Sequence, residues 1–239
     1  MKYLIIDEKM RKIEKQTLEN LGYKIVEIKA REKLYFEIAS HVDIFCTKIK
    51  NKLIIDPIEY ENIINSTNSR NILKGVKSVG FSYPEDIAYN VCNIGENVVH
   101  NFKYTDERIL EIIQENNMNK ININQGYSKC SIAVVEANSC IVCDKKIAEA
   151  LQKSCIDVLC ISEKMDIKLL DKSGSYSNMN GFIGGAISKI GNNIFISGDL
   201  KKIDKNDKIR EYIEKKGLHI IDFKGLDVID YGGMLELEG

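Results

Sequence analysis

The residues able to do chemistry in this chain are few. Of the seven cysteines, at positions 46, 92, 130, 140, 143, 155 and 160, Cys130 alone has a lysine directly before it. A neighbouring cation stabilises the thiolate, the attacking form, so Lys129 is expected to lower the Cys130 pKa. A nucleophilic thiol also needs a base. His41 is the candidate, because His100 ends one apolar run and His219 lies inside another. Asp43 and Asp86 are carboxylates of the kind that hold a guanidinium through two parallel hydrogen bonds. Asn124, Gln125 and Asn180 are polar groups able to rim a cavity, and the Gly184–Gly185 pair would let backbone approach a ligand. These types together suit covalent catalysis, without cofactor or metal, on a small guanidino- or amidine-like cation. The competing reading is packing: Cys130 as a small buried hydrophobe, Asp43 and Asp86 bonded to their own loops.

Other chemistries fit less well. Cys140 and Cys143 form a CxxC, but no second pair and no histidine motif completes a zinc site. Asp199 in ISGDL sits where other segments also carry Asp or Asn, which reads as a cap and not as a metal or phosphate ligand. Lys+Arg 34 against Asp+Glu 35 gives a net charge of -1, which argues against a nucleic-acid or anionic-membrane partner. No apolar run approaches a membrane span, and Met1–Lys2 leads straight into a strand-like YLII, so the expected location is the cytoplasm. An odd cysteine count fits that expectation.

The elements that must position these residues repeat. In Gly126 to Glu163, Cys130–Val135 and Cys140–Cys143 read as two strands of a hairpin. Asp144 then caps a helix with Ile147, Ala148 and Leu151 on one face, and DVLCIS is a third strand. Residues 42–81, 86–124 and the segment from FIGGAISKI to LHIIDF repeat this β-β-α-β order, with KSVGF expected as the closing strand of the first of these. The N-terminus reads β-α-β, and the tail DYGGMLELEG supplies the strand it lacks. Asp7, Asp56, Asn101, Asp144 and Asp199 end corresponding strands, 49, 45, 43 and 55 residues apart, a period typical of repeat architectures. With 44% hydrophobic residues the chain can form one α/β domain over 1–239.

Five such units with both termini completing one resemble the pentein fold of guanidino-group-modifying enzymes: a five-bladed β-β-α-β propeller of pseudo-fivefold symmetry. The strings NQGYSKCS, GFIGGA, ISGDL and DYGGMLEL are similar to those of an uncharacterised bacterial family within it. The resemblance implies a central cavity lined by the first strand of each unit, holding a cysteine, a histidine and acidic residues. It places the nucleophile near the C-terminus, yet no cysteine follows Cys160. Counting back 14 residues from Asp56, Asp144 and Asp199 instead lands on Val42, Cys130 and Gly185, so that Asp43, Cys130 and Gly184–Gly185 share one layer, with Asp86 near it. The expected activity is a cysteine-dependent hydrolase or transferase with Cys130 and His41 as catalytic pair. The alternative is a binding or assembly module without chemistry. The 172–180 loop is a candidate cover for the cavity.

Overall fold

The computed structural model describes residues 1–170 and 180–239. The first unit is β1 (Lys2–Asp7), α1 (Lys12–Asn20) and β2 (Lys24–Ile28). The second is a helical turn α2 (Val42–Phe45), β3 (Cys46–Ile49), β4 (Lys52–Ile55), α3 (Tyr60–Ser66) and β5 (Ile72–Lys74). The third is β6 (Cys92–Ile94), β7 (Asn97–His100), α4 (Glu107–Glu115) and β8 (Asn119–Asn122). The fourth is a turn α5 (Ser128–Ser131), β9 (Ile132–Glu136), β10 (Ser139–Val142), α6 (Lys145–Gln152) and β11 (Asp157–Cys160). After a short β12 (Ile167–Lys168), the fifth is a turn α7 (Ile183–Ala186), β13 (Ile187–Ile190), β14 (Asn193–Ile196), α8 (Lys208–Glu214) and β15 (His219–Ile221). Last come β16 (Val228–Ile229), paired with β12, and β17 (Leu235–Glu238).

In units two to five the first strand pairs antiparallel with the second, which pairs parallel with the third. The sheet β17-β1-β2 repeats that order with its hairpin cut open: Ile5 faces Leu235 antiparallel and Val26 parallel. The tail therefore completes the N-terminal unit, as its sequence suggested. Hairpins close through two-residue turns, and Lys50, Gly95 and Gly191 each take φ near +55 to +57°, the left-handed geometry such turns require.

Three expectations are corrected. The apolar runs at 42–49, 130–135 and 183–190 are not strands throughout, because each begins with one helical turn that swings the chain inward before the strand starts. The strand closing unit two is Ile72–Lys74 and not KSVGF: Leu73 pairs with Ile54, while the N–H groups of Val76, Lys77 and Val79 donate to Asp106 and Asp56. Of the five strand-end residues, Asp144 caps α6, and Asp199 caps a single 3-10 turn at Leu200–Lys202 by accepting from Lys201 N, as its sequence suggested. Asp7 and Asp56 bond the N–H two residues on in turns that precede the helices, and Asp106, not Asn101, caps α4.

Apolar helix faces, such as Ile109, Ile112 and Ile113 on α4 or Ile147, Ala148 and Leu151 on α6, cover the outer strands. The central strands β4, β7, β10 and β14 are buried nearly throughout, so they read as near-continuous apolar runs. Among the described residues no helix is long and apolar enough to cross a membrane.

Candidate functional site

The helical turns decide what faces the interior. In α5, Asn90 acts as a bracket: its Oδ1 accepts from the N–H of Lys129 (2.8 Å) and Cys130 (3.2 Å), and its Nδ2 approaches Cys130 Sγ at 3.2 Å. Consecutive side chains then diverge. Cys130 lines a cavity of about 270 Å³ with His41, Asp230 and Glu37, walled by Tyr35, Ile38, Ile44, Tyr127, Leu169 and Phe182. Lys129 points the other way, into a cavity of about 180 Å³ lined by residues of β3, β6, β9, β13 and β17. Asp43, in α2, lies at the boundary. Its Oδ2 accepts from Cys130 Sγ at 2.8 Å, the residue lines the smaller cavity, and its buried Oδ1 has no hydrogen-bond partner among the described residues.

Close packing holds this layer. Gly232 has φ +70°, and a Cβ there would lie 2.5 Å from His41 Cβ. A Cβ on Gly185 would collide with the Asp230 carboxylate. Asp230 accepts from Phe182 N (2.8 Å) and Gly232 N (2.9 Å), tying the fifth unit to the tail.

The electrostatics are those of buried acids short of counter-charge. Burial, then Asp230, pushes Asp43 up to about 7. Burial likewise raises Asp230 to about 6, with Lys129 opposing. Burial lowers His41 to about 3, so the imidazole is neutral at pH 7. Among the described residues its Nδ1 has no hydrogen-bond partner and stands 3.9 Å from Asp230 Oδ1, with Nε2 4.0 Å from Asp7 Oδ2. Cys130 is 4% exposed, and burial followed by Asp43 pushes its thiol well above the ordinary value. The expected lowering by Lys129 is overturned. The lysine Nζ turns to the Gly184 carbonyl at 2.9 Å, while the thiol's immediate neighbour is a carboxylate.

The structure thus brings Cys130, His41 and Asp43 together, and does not bring in the rest. Asp86 lies behind the aromatic wall, accepting from the Tyr127 hydroxyl at 2.7 Å, and lines neither cavity. Gln125 and Asn180 line a separate depression with Cys143 and Asp144, though Phe182 is shared with the Cys130 cavity. Asn124 lines an outer depression beside α6. Gly184 and Gly185 face protein and not ligand: the first abuts the Lys129 and Cys130 carbonyls, the second Asp230. The 172–180 loop, apart from Asn180, lies outside the described residues. Asn90 and Asp230 escaped the sequence reading as site residues, and Asp7 was read only as a strand end. Asn90 stands two residues before β6 as Cys130 stands two before β9, so alignment on strand starts would have exposed it.

One family profile matches residues 5–235, nearly the whole chain, and is described as a family of unknown function (DUF6873). No curated protein matches the sequence. Among solved structures, the chain is similar to a dimethylarginine dimethylaminohydrolase adduct with 4-chloro-2-hydroxymethylpyridine. That likeness has TM-score 0.56 and 11% identity over 94% of this chain and 92% of that one. A mutant of the Pseudomonas aeruginosa dimethylarginine dimethylaminohydrolase complexed with citrulline matches with TM-score 0.55 and 10% identity, over 94% and 91% of the two chains. At such identity the likeness concerns the fold, which is the pentein fold anticipated from the repeats.

Proposed function

The chain belongs to this family of unknown function, DUF6873, and from that premise we propose that it is a cysteine-dependent hydrolase or transferase acting on a small guanidino- or amidine-like cation. One observation carries the reading: Cys130 Sγ donates to Asp43 Oδ2 at 2.8 Å, at a cavity that His41 and Asp230 also line. The similar solved structures include an enzyme named for dimethylarginine hydrolysis. The five three-stranded sheets form five blades around one axis, a reading supported by the cavity that their five first strands line.

A cation entering the larger cavity beside Asp230 and the Asp43-bonded thiol supplies the counter-charge that these carboxyls lack, and so favours their ionised forms. The Cys130 proton passes to Asp43, and the thiolate attacks the central carbon of the amidinium, forming an S–C bond. Collapse breaks the C–N bond of the leaving amine, which takes the proton from Asp43. Water or an acceptor amine then attacks the same carbon, neutral His41 taking its proton; the S–C bond breaks, and that proton passes from His41 to the departing sulfur, which restores the thiol. The apolar walls exclude water and strengthen these charge interactions. The cytoplasm is the proposed location, in keeping with seven free cysteines.

A second reading, a binding module without turnover, is favoured by the raised thiol pKa and by the lack of any cysteine after Cys160. The test compares two alkylating agents of one shape, chloroacetamidine (cationic) and chloroacetamide (neutral), with Cys130 followed by peptide mass spectrometry and the other six cysteines as controls. The enzyme reading expects the cation to label Cys130 at least about tenfold faster, the effect of about 1.4 kcal/mol of charge recognition. Equal rates, or a Cys130 silent until unfolding, would leave the binding module, and a screen of guanidines and amidines for turnover follows the first outcome.

A further inference from the structure

The second cavity has a composition that the proposed chemistry does not use. Around its space of about 180 Å³ stand Lys48, Lys129 and Lys189, with Thr47, Ser188 and Asn93 between them. Lys189 is paired, its Nζ 2.9 Å from Glu136. Lys129 and Lys48 instead direct their ammonium groups at backbone carbonyls, of Gly184 (2.9 Å) and Glu236 (2.7 Å). Among the described residues neither has a carboxylate within ion-pair distance. The buried Ser188 hydroxyl accepts from Met234 N at 3.0 Å, which leaves its proton to donate. Two cations lacking a carboxylate partner within ion-pair distance and a hydroxyl donor thus line one half-open space, which Asp43 borders on its inner side. At roughly 30 Å³ per water molecule, it holds about six waters, or a tetrahedral ion with its hydration.

We propose that this cavity, on the far side of the Asp43–Cys130 layer, binds a small oxyanion held by Lys129, Lys48 and Ser188, and that its occupancy restrains the cysteine site. Ammonium groups and hydroxyls are the donors that oxyanions select, and partial enclosure strengthens each contact. The coupling runs through Lys129, whose charge opposes the proton affinity of both Asp43 and Asp230. The charged groups acting on Asp43 are Asp230, Lys129, Cys130 and Asp7. An anion on Lys129 cancels the cationic member of that set, so Asp43 holds its proton more tightly and accepts the thiol proton less readily. The binding claim stands whether or not Cys130 is catalytic.

The probe is inorganic phosphate at constant ionic strength, with sodium chloride and sodium acetate as comparisons, read by thermal denaturation of the full chain. The expected result is a saturable rise in Tm with phosphate that chloride does not produce, with apparent affinity weakened about tenfold in Lys48→Met and in Lys129→Met. The same saturation should speed Cys130 alkylation by iodoacetamide at pH 8 in the unaltered protein, because a protonated Asp43 no longer opposes the thiolate, while any turnover that needs Asp43 as proton acceptor falls. Lys48, in β3 with its ammonium on a backbone carbonyl, keeps the test readable if Lys129→Met fails to fold. A Tm response that follows ionic strength alone, or a phosphate response unchanged in both variants, overturns the site. Saturable binding with Cys130 alkylation unaffected overturns the coupling.

Discussion

Replacing Asp43 by Asn keeps the shape of the layer and removes its charge. In the folded protein Asp43 Oδ2 lies 2.8 Å from Cys130 Sγ, and both residues are buried. Ionising the thiol at pH 8 therefore sets two negative charges side by side. For unit charges 4 Å apart at an effective dielectric constant of 20 the repulsion is about 4 kcal/mol, or roughly three pK units at 1.36 kcal/mol each. Residual hydration and the pull of Lys129 reduce this, so the expected fall in the Cys130 midpoint for Asp43→Asn is about one to three pH units. The amide also offers the thiolate a donor where the carboxylate offered none. The assay is the rate of Cys130 alkylation by iodoacetamide from pH 6 to 10, fitted for its midpoint. Alkylation of the free protein should become easier, while any turnover of a guanidino substrate should fall, because the group that takes the thiol proton and faces the cation is lost. A midpoint that stays or rises in Asp43→Asn would show that Asp43 does not control the thiol, and the mechanism would fail with it.

Other outcomes follow from the same geometry. Asn90→Ala strips the bracket from α5 and leaves the buried Cys130 N–H unpaired. A loss of about 1–3 kcal/mol is expected, seen as a Tm several degrees lower, with Cys130 labelling less distinct from that of the exposed cysteines. Asp56→Ala breaks the buried pair with Arg31 Nη2 (2.7 Å) and frees the Val79 N–H. A loss of about 3–5 kcal/mol is expected in urea denaturation, whereas Glu111→Ala in an exposed pair should change little. Stability against pH carries a definite sign. The folded pKa of Asp43 (about 7) exceeds its ordinary 3.8, so the native state binds the extra proton, and Asp43's stabilising contribution is lost as pH rises from about 4 to about 7. The Tm of Asp43→Asn relative to the unaltered protein should therefore climb across that window, and a flat difference would contradict the raised pKa.

Local chemistry made the architecture legible. Alternating apolar runs, turns at Lys50, Gly95 and Gly191, and the Asp144 cap marked out repeated units, and the unmatched β-α-β at one end predicted a partner strand at the other, found as β17. Cys130 and Asp43 were also visible, because repeats place equivalent positions at equivalent depth. The sequence could not show that α2, α5 and α7 interrupt the inner strands, since one apolar turn of helix and a short buried strand have the same composition. Nor could it show direction. The neighbours Lys129 and Cys130 suggested a cation that activates a thiol, but the α5 turn sends one side chain to each cavity and sets the thiol against a carboxylate 87 residues away in sequence. Asp86, equally acidic, was drawn behind Tyr127, while Asp230 came inward on the tail. Residue type and spacing determined which groups were available. Which of them share a desolvated space, and hence which way each pKa moves, was decided by long-range packing between units, where burial and a partner's charge outweigh any neighbour along the chain.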